Sequence, residues 1–297
     1  MIKFNDMPYE RPDMEAAKAQ IKECAEAFRA AGSAEQAKQI LIDYDKIQRH
    51  VESMATLAQI RHSIDTRDEF YDKEVEFWNA AGPELMEYSE MWTKALLATP
   101  YREALAEEFG EVIFKNAELE EKSFSPTIIS LMQQENDLTT EYDKLIASAQ
   151  IPFEGKTYTI AQIQPCKNDA DDARRLAAWK TEGGWYKEHQ DKLDEIYDKL
   201  VGLRHEMSQK LGLKDFVELG YYRMTRNCYD RNDIEKFRAA VREFIVPVAD
   251  AVRRNQAERL GLQYPLSFSD CALMFRSGNA KPAGDADAIV AAASAIR

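Results

Sequence analysis

The chain has four cysteines in 297 residues, Cys24, Cys166, Cys228 and Cys271, and no CxxC pair among them. That scarcity and spacing exclude a disulfide scaffold, a zinc ribbon and a dithiol redox motif, and predict reduced, mostly packed thiols. Histidine is equally sparse, at His50, His62, His189 and His205, and no two stand four apart, the spacing that lets a helix aim two imidazoles at one metal ion. There is no GxGxxG, no phosphate-binding lysine loop and no GxSxG elbow. Positive charge is in deficit, with 39 Lys and Arg against 52 Asp and Glu; a net charge of -13 repels a phosphate backbone and argues against a nucleic-acid partner. Long apolar runs are missing too. The stretch Met1 to Asp13, MIKFNDMPYERPD, holds neither a signal peptide nor an anchor, so the expected address is the cytoplasm and no membrane partner is expected.

Helical pattern is what the chain has in abundance. Hydrophobic residues make up 45% and charged residues 31%, the balance of a soluble globular protein long enough for a sizeable core. Pro12 suits a first helical turn, and Met14, Ala17, Ile21, Cys24, Ala25 and Phe28 then recur at three- and four-residue spacing up to Gly32. Ser33-Ala34-Glu35-Gln36 has the form of a capping box ahead of the stripe Ile40, Tyr44, Ile47, Val51, Met54 and Ala58, and Thr66-Arg67-Asp68-Glu69 offers another. Further helix starts are expected at Gly82-Pro83, Thr99-Pro100 and Ser125-Pro126. Ile151 to Ile163 alternates around a Gly-containing turn and predicts a small hairpin. The longest helix is expected from about Asp169 to Gly212, with a seam of Leu193, Ile196, Leu200, Leu203, Met207 and Leu211. A short helix around Lys214 to Tyr222 and a longer one from about Asp230 to Leu260, bent at Pro247, should follow. Residues 264–268 and 271–275 have strand-like composition, and a last helix begins near Asp285 and is still running at Arg297. That pattern leads us to expect a chain cut inside an element, with a continuation beyond Arg297 and apolar surface left exposed for dimerisation.

Residues that could carry chemistry weigh mostly towards structure. His205-Glu206-Met207-Ser208-Gln209 has glutamine where a metal-binding helix needs its second histidine, and His205 lies opposite the seam. His62 extends the Met54 and Ala58 stripe as a partly buried, hydrogen-bonded side chain. Glu74, Glu76, Glu120, Glu121 and Asp169 to Asp172 read as solvated faces, Gly183-Gly184 as a kink or close helix approach, and Trp179, Trp185 and Tyr186 as core.

The run Leu211-Gly212-Leu213-Lys214-Asp215-Phe216-Val217-Glu218-Leu219-Gly220-Tyr221-Tyr222-Arg223-Met224-Thr225-Arg226 resembles oligoendopeptidase F and its relatives among the thimet-oligopeptidase-like zinc metallopeptidases. The likeness continues through residues 233–238, Ile245-Val246-Pro247, Gln256 to Leu262 and Gly278-Asn279-Ala280-Lys281-Pro282, and upstream through Phe153-Glu154-Gly155-Lys156, Arg174-Arg175 and Leu200 to Arg204. It implies a mainly α fold: long antiparallel helices with a small hairpin near 151–163, forming the first lobe of a two-lobed peptidase with a deep channel for short peptides. It suggests a helical subdomain over 1–124 and a second region over 125–297 leading towards a zinc-binding catalytic region. The family's HExxH helix, later glutamate ligand and oxyanion donors have no counterpart before Arg297, so no catalytic residue and no metal ligand is assigned, and zinc is expected in the complete enzyme rather than on this chain. A complementary C-terminal segment is the implied partner. Because a polar-aromatic run follows a helix-ending Gly220, Tyr222, Arg223 and Arg226 are the candidates for the channel wall; a cluster that braces neighbouring helices is the equal alternative. The alternative is a metal-free helical module that binds peptides or a partner protein.

Overall fold

In a computed structural model that describes residues 3–296, the chain is built almost wholly of helices. Arg297, where the last helix was expected to be still running, lies outside the described residues. In order these are α1 (Met14–Arg29), α2 (Ala34–Ile64), α3 (Glu69–Leu97), α4 (Arg102–Phe109), α5 (Val112–Ser123) and α6 (Ile129–Ala147), then strands β1 (Ile151–Phe153) and β2 (Lys156–Tyr158). After the hairpin come α7 (Gln164–Lys167), α8 (Asp172–Glu188), α9 (Gln190–Lys210), α10 (Phe216–Arg223), α11 (Arg231–Ala240), a π-helical turn at Val241–Ile245, α12 (Val246–Leu260) and α13 (Ala286–Ala295). The chain divides into two compact units, Met1–Leu145 with Asp191–Ile234, and Ile146–Gln190 with Glu235–Arg297.

In the first unit the α1 stripe packs as its spacing predicts, with Met14, Ala17, Ile21, Ala25 and Phe28 buried. Trp92 of α3 stacks on Tyr44 of α2 at 4.0 Å and meets Phe28 at 4.9 Å, the centre of a core completed by Leu105 and Phe114. Caps explain the helix starts, with small shifts. Asp13, not Pro12, opens α1, accepting from Ala16 N–H, and Asp68, not Thr66, caps α3 by accepting from Phe70 and Tyr71 N–H. At Ser33 one half of the box forms, its hydroxyl accepting from Gln36 N–H at 3.2 Å; the Gln36 amide oxygen reaches one residue further back and accepts from Gly32 N–H at 2.9 Å.

Pro83 does not start a helix; it lies inside α3. Proline withdraws the donor owed to the carbonyl four residues back, Asn79 O. The side chain of Asn136 on α6 supplies it, Nδ2 donating to Asn79 O at 3.2 Å, and Gln133 Nε2 donates to Ala80 O at 2.9 Å. A tertiary contact thus carries the helix through a residue that would otherwise break it.

The segment ahead of α1 is tied to α3 by ionisable groups. Glu74, whose side chain is 6% exposed, accepts from Arg11 Nη2 at 2.5 Å and from the Tyr9 hydroxyl. Arg11 beside it holds its carboxyl below the usual range, and burial first, then donation to Glu74, pushes Tyr9 up to about 12. The Tyr9 contribution to stability is therefore full below its ordinary 10.0 and is lost as pH rises through about 12. The Glu74 contribution is full above its ordinary 4.5 and is lost as pH falls through its lower folded value. Trp78 Nε1 donates to the Tyr9 oxygen at 3.1 Å and serves as the reporter. Tryptophan fluorescence should show an alkaline step near 12 that Tyr9→Phe removes; a step at 10 would show that Tyr9 is not held in this way.

In the second unit, Glu154 and Gly155 both take positive φ, 50° and 75°, giving the two-residue turn that matches strand twist and pairs Phe153 with Lys156. Arg174 of α8 then grips the turn through both Glu154 oxygens, at 2.8 and 2.9 Å. The expected longest helix is two helices, α8 and α9, separated at His189, which stacks on Trp185 at 4.2 Å with Nδ1 2.8 Å from Trp185 O; the longest is α2. Trp179 is partly buried, its Nε1 donating to Lys167 O, and Tyr186 is exposed, so of that trio only Trp185 is core. The strand-like stretches at 264–268 and 271–275 form bends, turns and irregular loop instead. Side chains of α12 take the carbonyls that a ladder would have used: Gln256 Nε2 donates to Cys271 O and Leu273 O, and Arg259 Nε to Met274 O.

Candidate functional site

α10 and the loop after it build a polar-aromatic cleft that includes two of the channel-wall candidates picked out from the sequence, Tyr222 and Arg226. Asp215 starts the helix, its Oδ1 accepting from Val217 N–H at 2.9 Å. Leu219 anchors its inner face among Phe124, Ile128, Leu131 and Met207. Gly220 is buried within the helix and does not end it; α10 runs on to Arg223. The end is a Schellman turn, Arg226 N–H donating to Tyr221 O at 3.1 Å and Thr225 N–H to Tyr222 O at 2.8 Å. Thr225 holds the left-handed position of that turn at φ 53°, where a β-branched residue is strained. Beyond it, Asn227 Nδ2 donates to Asn116 Oδ1 at 2.6 Å, and Asp230 Oδ1 accepts from Asn232 and Asp233 N–H to open α11. The loop is pinned at both ends. Thr225→Gly should relieve the strain and raise stability by about 1 kcal/mol; a lower urea midpoint would show that the threonine is unstrained there.

The cleft has a volume of about 290 Å³, and Lys214, Glu218, Tyr221, Tyr222, Arg226 and Tyr229 are on its walls. The Tyr222 hydroxyl donates to Glu218 Oε1 at 2.6 Å; that bond first, and burial second, push Tyr222 up to about 12, so it stays a protonated donor at neutral pH. The Arg226 guanidinium lies over two rings, 4.2 Å from the Tyr221 centroid and 5.6 Å from that of Tyr229. Arg223 does not line the cleft. Its Nη1 lies 2.8 Å from Glu135 Oε2, an ion pair whose angle falls short of a hydrogen bond, while Arg204 Nε donates to Oε1 at 2.7 Å. Glu135 is buried on α6, so Arg223 braces α10 against α6 and α9. Tyr221, Tyr229 and Glu135 were not foreseen. The Glu218–Tyr222 pair was readable, since residues four apart meet on a helix.

Metal-holding groups do not assemble. Among the described residues no group of three or more His, Cys, Asp or Glu side chains could hold a metal ion. His205 is exposed, and Gln209 spends its amide on Leu213 O and Lys214 O at the end of α9. His62 is buried with Nε2 3.2 Å from Asp72 Oδ1. These residues do not fit a zinc site, and no chemical step is routed through one here. Among the described residues no helix is long and apolar enough to cross a membrane. All four cysteines are free: Cys166 is buried, Cys24 and Cys271 are partly buried, and Cys228 is exposed.

A sequence profile for the Peptidase M3 N-terminal domain matches residues 4–124. PZ peptidase A, solved with an inhibitor, is 40% identical over 97% of this chain and 51% of its own, with a TM-score of 0.93. A protein assigned as an oligoendopeptidase F is 39% identical over 98% of this chain and 51% of its own, with a TM-score of 0.94. Another so assigned, from Bacillus anthracis str. Ames, is 35% identical over 99% and 54%, also with a TM-score of 0.94. The chain belongs to the M3 peptidase family, as an N-terminal half. It spans about half the length of these solved relatives. No curated protein sequence matches it.

Proposed function

We propose that this chain is the non-metal half of a cytoplasmic zinc-dependent peptidase that hydrolyses short peptides in an enclosed channel. Tyr222 and Arg226 stand on the channel wall in this reading, with Arg223 positioning the helix that carries them. The groups that hold zinc and activate water come from the length of the family that this chain does not span. The alignment of nearly the whole chain with about half of two peptidase structures supports the assignment.

What favours completion by a second half is an apolar helix face with nothing packed on it. Neither α11 nor the π-helical turn that follows it has a buried residue, and Phe237, Phe244, Ile245, Val248 and Val252 are exposed. Phe237, Val241, Phe244, Val248 and Val252 recur at spacings of four, three, four and four, a seam suited to another helix. Helices draw most of their stability from packing such a face, and monomers rarely leave so large an apolar strip in water. The occupant we assign to it is the complementary helical half of the family.

Zinc analysis and a peptide-cleavage assay on the purified chain test the division of labour. The expected result is no stoichiometric zinc and no chelator-sensitive cleavage. Tight zinc with cleavage by this chain alone would overturn it, and peptide binding that persists without any cleavage on completion would favour the metal-free module.

A further inference from the structure

We infer that the cleft around Arg226 is a carboxylate-binding subsite, which on the peptidase reading takes an acidic group of the bound peptide. The acids around it are already engaged. Glu218 accepts from Tyr222, Asp215 from Val217 N–H, and Asp230 from the first amides of α11. Every acid on the cleft wall thus has a partner inside the protein.

Two cations on the wall, Arg226 and Lys214, are in a different position. Among the described residues, the Arg226 guanidinium makes no ion pair or hydrogen bond; its only side-chain partners are the Tyr221 and Tyr229 rings. Lys214, also on the wall, has no ion pair among the described residues either. In a chain of net charge -13, a half-buried arginine that has neither a carboxylate nor a hydrogen-bond acceptor among the described residues is poised for an anionic ligand. Ring faces satisfy a guanidinium without using its in-plane N–H donors, and so leave the fork free for a planar, bidentate acceptor. The two tyrosines hold the guanidinium, and the Schellman turn at strained Thr225 fixes the backbone from which it projects. At about 290 Å³ the cleft has room for one or two residues of a peptide, not for a folded domain.

A carboxylate can come from a peptide C-terminus or from an acidic side chain, and the test separates them. Titration calorimetry on the full 297-residue chain would compare a short neutral peptide as its free acid and as its C-terminal amide, then an amidated peptide carrying Glu with its Gln counterpart. The terminal source predicts that the acid binds about tenfold more tightly than the amide; the side-chain source predicts the same preference for Glu over Gln. Arg226→Gln should abolish whichever preference is found, and Arg226→Lys, which keeps charge but loses the fork, should restore part of it. Equal binding of acid and amide and of Glu and Gln, or a preference untouched by R226Q, would overturn the subsite while leaving the peptidase reading intact. Failure of every peptide to bind at millimolar concentration would overturn both.

Discussion

Arg175→Ala is expected to remove about 3–5 kcal/mol from the second unit, enough to unfold much of it, given that whole domains are stable by only about 5–15 kcal/mol. Arg175 is 0% exposed. It donates to Ser269 O at 3.0 Å, to Asp169 O at 2.9 Å, to Asp172 Oδ1 at 2.8 Å and to Asp270 Oδ1, and so joins the start of α8 to the turns before α13. Truncation would leave the Asp270 carboxylate, 20% exposed, with the Ser267 hydroxyl as its side-chain donor, and would take the arginine donor from the buried Ser269 carbonyl. Arg175→Lys keeps the charge but cannot reach four acceptors at once and should fall between the two. Urea unfolding and proteolysis of 264–275 would measure it; an Arg175→Ala protein within about 1 kcal/mol of the parent would show that the network is dispensable.

The second large effect belongs to the open helix face. Phe237 and Phe244 are 65% and 63% exposed, and buried aromatic anchors of that kind each contribute about 2–4 kcal/mol to an interface. Phe237→Asp with Phe244→Asp should therefore weaken binding of a complementary half by two or more orders of magnitude and reduce self-association of the chain. Neither residue has a buried neighbour on its own helix, so the fold of the chain alone should be unaffected. Amides of 231–255 should exchange rapidly in the isolated chain and become protected in the complex. Unchanged affinity in the double variant would mean that the partner seats elsewhere.

Helices were legible where the determinant is local. Ser33 shows its role within a few residues, because an N-cap satisfies amides two or three positions on, and the α1 stripe follows from the helical period alone. Legibility failed where a distant side chain decides. Pro83 continues its helix because of Asn136 and Gln133, fifty or more positions away, and the strand-like tail is held in loop and turn by Gln256 and Arg259. Glu74 looked like a solvated carboxylate, yet it is buried against Arg11 and Tyr9; Asp172 is exposed, as a solvated face should be, while also pairing with Arg175 and Arg276. The same limit applies to the cleft. Tyr222 and Arg226 were placed together by sequence proximity, whereas Arg223 was drawn away by Glu135, a residue that only the packing of α6 brings near.

The account turns on one reconstitution. The chain and the remaining half of an M3 peptidase would be co-expressed, purified together, and assayed with a short fluorogenic peptide in the presence and absence of a zinc chelator. A stoichiometric complex whose cleavage is abolished by chelator, and that neither half shows alone, is the predicted result; two halves that neither associate nor cleave would contradict it.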